Sequence, residues 1–350
     1  MKRLTGLRPF LLATVLFAPT PGAHAQALNS GPPESLTSRF IALAIQGELP
    51  GAQALLEQNA AQAPALYEQF VSRFVENAHE PSPASGVEMA DRVITAYRAY
   101  WSDSLMKRKE SGDAEAILAG AIHTALGPAA QAVDSADKSA IYRMMEMTLA
   151  ESGLHVLQSP APPLRDLYLW REQSTRSYDV RLTDRTLRLD VVFMDDLISL
   201  GWKEYASLGL ATTTGWVEQG RLYCVSWAYD RDSENFRVSY LKHEARHLVD
   251  LELYPDMDTT ELEYRAKLTE LAFAHTTTQR ILNDFTDKAA NNRESSHAMA
   301  NLRVVDDINH ALGGADHPGG KNTWSQYTAA QINRAARSLL DANTRKRKSR

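Results

Sequence analysis

The chain has 350 residues and a formal charge of −5, long enough for two domains or for one core with a helical extension. That charge balance gives no reason to expect nucleic-acid binding. Cys224, its only cysteine, excludes an intramolecular disulfide and a cysteine-based zinc site.

Lys2, Arg3 and Arg8 form a basic start, residues 10–17 an apolar run, and Ala23-His24-Ala25 a small-x-small cleavage site. The run is too short to span a bilayer, and no cysteine follows it to carry a lipid. Residues 1–25 are therefore expected to be a signal peptide, and the chain to be exported, periplasmic or secreted, with no stable membrane anchor after cleavage. Losing the three basic residues takes the formal charge from −5 to −8.

Residues 26–160 read as a helical N-terminal region. Tyr67, Phe70, Val71 and Phe74 recur at helical spacing, as do Ile141, Met144, Met145 and Leu149, and less perfectly Val93, Tyr97, Tyr100 and Trp101. Breaks fall at Glu80-Pro81-Ser82-Pro83, at Ser111-Gly112-Asp113 and at Gly127-Pro128. These stripes are read as packing core, and residues 159–163, rich in proline, as a linker. Beyond it the period changes to two. Tyr178, Val180 and Leu182, then Leu187, Leu189, Val191 and Phe193, predict a hairpin across a Thr183-Asp184 turn. A short helix is expected over residues 196–207. A second hairpin is expected over 210–217 and 221–229, with Tyr223, Val225, Trp227 and Tyr229 on one face.

His243-Glu244-Ala245-Arg246-His247 is an HExxH pentad within a helix expected over 236–253, ended by Pro255. Two imidazoles at i and i+4 can reach one Zn²⁺, and the glutamate between them sits beside a water on the metal as its general base. Lys242, Arg246 and Val249 are expected to face outward. A third ligand is needed. Asp250 and Leu253 stand where a metzincin needs glycine and histidine, which excludes that class. Asp256 or Asp258 would suit an aspzincin, but both sit in the connection just after the helix. A following helix capped by Thr259 or Thr260 offers Glu261 and Glu263, which point to different sides. Glu263 is favoured, since it shares a face with Ala266 and Glu270; Glu261 suits a first-turn carboxylate.

Over residues 210–274 this resembles the zincin metallopeptidases of gluzincin type. The resemblance implies an α+β fold: an all-helical N-terminal region, then a zincin-like domain over 164–340 with a small, mostly antiparallel sheet and the HExxH helix. It implies zinc held by His243, His247 and Glu263, Glu244 as general base and proton shuttle, and peptide or protein substrates held on the edge strand of the hairpin ending at Tyr229. Lys267 stands where gluzincins often place an aspartate that orients the first histidine; Asp250 or Glu270 could take that role. Tyr254, Tyr264, His275 and His310 are candidates for oxyanion stabilisation. His275, His297, His310 and His317 each read more simply as ordinary polar or surface histidines, and Gly313-Gly314 and Gly319-Gly320 as a flexible loop. Residues 341–350 read as a basic disordered tail. The expected function is an exported zinc-dependent peptidase. The competing expectation is a non-catalytic envelope protein with a structural or relic zinc site.

Overall fold

A computed structural model describes residues 13–16, 35–76, 85–108, 111–161, 163–218, 220–289, 296–314 and 323–348. Ala13–Leu16, part of the expected leader, forms a short strand, β1; the cleavage site, the 80–83 break and His317 lie outside the described residues. Among the described residues, twelve α-helices and a curled mixed sheet in the order β1-β5-β6-β4-β3-β2 make the fold α+β. Among the described residues, no helix is long and apolar enough to cross a membrane.

The chain divides into two compact units. One takes the residues up to Ser174 together with Phe193–Thr214. Its helices are α1 (Leu36–Ile45), α2 (Leu49–Gln58), α3 (Pro64–Phe70), α4 (Glu88–Leu105), α5 (Ser111–Leu126), α6 (Lys138–Glu151) and α7 (Gly201–Ala206). The aromatic stripes read from the sequence do form its core: Phe70, Phe74, Tyr97 and Trp101 are buried with Phe40 and Tyr205. Residues 159–161 are not a linker. They end β2 (His155–Ala161), which pairs antiparallel with β3 (Leu164–Arg181) in the register Ser159↔Asp166 and Ala161↔Leu164. The period-two pattern marks only the outer part of a hairpin whose second strand, β4, runs Thr186–Leu200. The helix expected from residue 196 therefore starts only at Gly201, whose positive φ of 83° turns the chain. The buried Asp166 carboxylate accepts the Trp202 amide there at 2.7 Å, and burial pushes its pKa up to about 6.

The other unit is Thr175–Val192 with Gly215–Arg350. Leu182 N–H donates to Arg185 C=O at 2.8 Å, closing the Thr183-Asp184 turn. β5 (Thr212–Glu218) pairs with β6 (Arg221–Val225), Gly215 opposite Cys224. The second strand stops at Val225 in a 3₁₀ turn, which leaves Trp227 exposed rather than on a shared inner face. β6 lies between β5 and β4 in the sheet. The sheet is not small, for β3 and β4 span 18 and 15 residues.

Helix α8 (His243–Leu253) is preceded by wide π-helical turns over Phe236–Lys242. Within those turns the Tyr240 hydroxyl donates to Tyr223 C=O at 2.7 Å, and its ring fills the space where Gly215 has no Cβ. α9 (Thr259–Phe273) packs against α8, α11 (Ser296–Ala311) and α12 (Ala329–Lys348). With α10 (Thr278–Asp287) they bury Leu268, Leu271, Leu282, Val304, Ile308, Trp324 and Ile332 in one core. α12 continues through residue 348, which overturns the disordered reading of residues 341–348. Arg347 reaches Glu261 at 3.1 Å, and Asn343 donates to Glu261 at 2.6 Å.

Candidate metal centre

α8 supplies His243 and His247 one turn apart, and α9, joined by a short connection, supplies Glu263 opposite them. Asp258, not Thr259 or Thr260, caps α9, its carboxylate accepting the Glu261 amide at 2.9 Å. His243, His247 and Glu263 are all buried, and one donor atom from each lies within 4.8 Å of the others, so this group could hold a metal ion. The two Nε2 atoms are 3.0 Å apart. Glu263 comes within 3.3 Å of His247 Nε2 and 3.7 Å of His243 Nε2.

Three features suit a cation. Bond lengths of about 2.0–2.1 Å around a tetrahedral zinc put neighbouring donors roughly 3.3 Å apart, a value inside the range of these approaches. The Nδ1–H of His243 donates to Glu270 Oε1 at 2.7 Å, which leaves its Nε2 with a lone pair directed at a second ring nitrogen. A proton or a metal ion must separate the two. Finally, the buried carboxylates of Glu263 and Glu270 lie against the two imidazoles, with Lys267 3.8 Å from Glu263, a donor set that a divalent ion would suit.

The electrostatics follow from this crowding. Burial disfavours the His243 imidazolium, but the hydrogen bond and charge of Glu270, with Glu263 and Glu244, outweigh it and raise the pKa. Burial would likewise raise Glu263, yet the charge of His297 and the contact with His247 hold its pKa well below the usual carboxylate range. Lys267, where an aspartate was expected, lies with its Nζ 3.8 Å from Glu263 Oε2 and 4.7 Å from the centre of the Phe285 ring. It addresses the glutamate, and Glu270 orients His243.

The other candidates fall elsewhere. Asp250 is held by Arg265 at 2.7 and 3.0 Å and by Arg246 at 2.9 Å, not by His243. Arg246 is not outward-facing: it is buried, as is Val249, and reaches Asp184 in the hairpin turn at 3.0 Å. Glu261 pairs with Arg303 at 2.6 Å, and Asp256 is exposed. Tyr264 donates to Asp307 at 2.7 Å, Arg347 lies over the Tyr254 ring, and His275 and His310 are exposed. His297 was read as an ordinary surface histidine, yet its Nδ1 lies 3.0 Å from Glu263 Oε2. It comes from α11, and no sequence spacing ties it to the pentad. Comparison with protein-family models, with curated proteins and with solved structures finds no match.

Proposed function

We propose that this chain is an exported zinc-dependent metallopeptidase that hydrolyses peptide bonds, a zincin of gluzincin type. The observation that carries the reading is the meeting of two imidazoles and a carboxylate in a buried, acid-rich site, with Glu244 next to the first ligand in the chain. His243, His247 and Glu263 would hold the ion; two nitrogens and one oxygen at these separations suit zinc. A bound zinc ion supplies a Lewis acid that polarises a carbonyl and makes water acidic near neutral pH.

The remaining steps belong to the protein. Glu244 accepts a proton from the attacking water and returns it to the leaving amine. Glu270 fixes the tautomer of His243 so that Nε2 faces inward. The negative formal charge accords with peptide or protein substrates rather than nucleic acid. Glu244→Gln keeps the shape but removes the base, so metal content should stay at one ion per chain while turnover falls at least ~10²-fold. Cleavage of a peptide library by Glu244→Gln at the wild-type rate would sink the mechanism.

One observation favours a second reading. His243, Glu244, His247 and Glu263 are each no more than 2 % exposed, as in closed structural metal sites. A non-catalytic envelope protein that keeps zinc for structure would bind the ion equally well and show no turnover even with Glu244 intact.

A further inference from the structure

The ligand set sits between α8 and α9, but the Glu263 carboxylate has a neighbour from a third helix. His297 lies in the first turn of α11, and its Nδ1 is 3.0 Å from Glu263 Oε2, an ion-pair contact. Lys267 approaches the same oxygen only to 3.8 Å. The His297 side chain is 39 % exposed, against 2 % for Glu263. Through it the ligand carboxylate is linked to a group at the surface.

A histidine is poorly placed in a first helical turn if it carries charge, because the exposed amides there favour anions. The first turn of α11 contains no carboxylate to offset this. Glu263, inside the molecule, supplies the negative partner instead. An unsupported carboxylate between two imidazoles can rotate and present either oxygen. A cationic partner held against one oxygen restrains that rotation.

We propose that His297 is a positioning residue for the metal centre, holding the Glu263 carboxylate in the orientation that binds the ion. This rests on the metal-binding reading of His243, His247 and Glu263. It assigns His297 no contact with the metal and no proton transfer.

The test is zinc affinity of the full-length chain, measured by competition with a chromophoric chelator. His297→Ala should bind zinc 10- to 100-fold more weakly than wild type, the usual cost of losing a partner to a metal ligand. His297→Asn, whose amide N–H can stand where Nδ1–H stands, should recover most of that loss. The zinc-free wild type and His297→Ala should unfold at the same denaturant concentration. Wild-type affinity in His297→Ala, no recovery in His297→Asn, or an equal loss of stability in the zinc-free protein would each overturn the proposal while leaving the metal centre standing. If the wild type takes up no zinc and His247→Ala behaves identically, the metal centre itself is wrong and the role of His297 falls with it.

Discussion

Asp250 and Glu263 are both buried carboxylates on the α8–α9 pair, but their surroundings differ in charge balance. Asp250 accepts a two-point hydrogen bond from Arg265 and forms an ion pair with Arg246 at 2.9 Å, which also reaches Asp184; Arg265 goes on to Asn343 at 2.6 Å. With Arg185 joining Asp184 to Glu252, three guanidinium groups meet three carboxylates, and the cluster is neutral within itself. Around Glu263, the carboxylates of Glu263 and Glu270 meet the imidazoles of His243, His247 and His297, with Lys267 3.8 Å from Glu263. A buried cluster that closes on its own charges is structural, whereas one left acidic and lined with imidazoles has room for a cation. The pentad contributes to both clusters, with His243 and His247 in one and Arg246 in the other.

The largest expected effect breaks the acidic cluster. Purified wild type should carry one zinc ion per chain, and His247→Ala and Glu263→Ala should carry none under the same non-chelating conditions, as read by elemental analysis. Zinc retained in Glu263→Ala would move the third ligand elsewhere. Glu261 would be tested first, although its contacts with Arg303, Asn343 and Arg347 already occupy it.

Asp250→Ala breaks the neutral cluster instead. It removes the carboxylate shared by Arg265 and Arg246, both about 1 % exposed, and removing one partner of a buried ion pair costs about 3–5 kcal/mol. Chemical denaturation should show that loss while the folded fraction still binds zinc. Loss of zinc with unchanged stability would mean that Asp250 serves the metal centre and that the two clusters are one.

The sequence exposes the acidic cluster better than the neutral one. The i, i+4 histidines lie on one helix, and Glu263 shares its face with Ala266 and Glu270, so geometry along two adjacent helices sufficed. Helical phase also assigned Arg246 and Val249 to the outside. That failed for Arg246 because the hairpin turn brings Asp184 to it, and Val249 is buried as well. α9 is buried from Glu261 through Ala272, so it carries no apolar stripe, and its polar residues report their partners only once α11 and α12 are in place. His297 and Arg347 belong to those distant helices, and no local period could relate either to α9. Proline in residues 159–163 read as a linker, yet Pro160 pairs opposite Arg165 in the register of β2 and β3.

Glu234 shows a third way to satisfy a carboxylate, without a cation. It precedes the π-helical approach to α8 and accepts the His275 and Thr277 amides, each at 2.8 Å, and the Thr277 hydroxyl at 2.9 Å. Burial acts to raise its pKa, but these bonds and that of the Thr276 hydroxyl prevail and lower it to about 2. Because the folded pKa lies below the unfolded one, the stabilisation is complete above about pH 4.5 and disappears as the pH falls toward 2. The group is partly exposed, so solvent screening reduces the effect to about 1 kcal/mol. Glu234→Gln should therefore lower stability at pH 7 by about that amount, since its amide N–H₂ would meet donors. The gap from wild type should narrow between pH 5 and pH 2 in denaturation curves. A gap that stays constant over that range would mean that the donors around Glu234 read the shape of the side chain and not its charge.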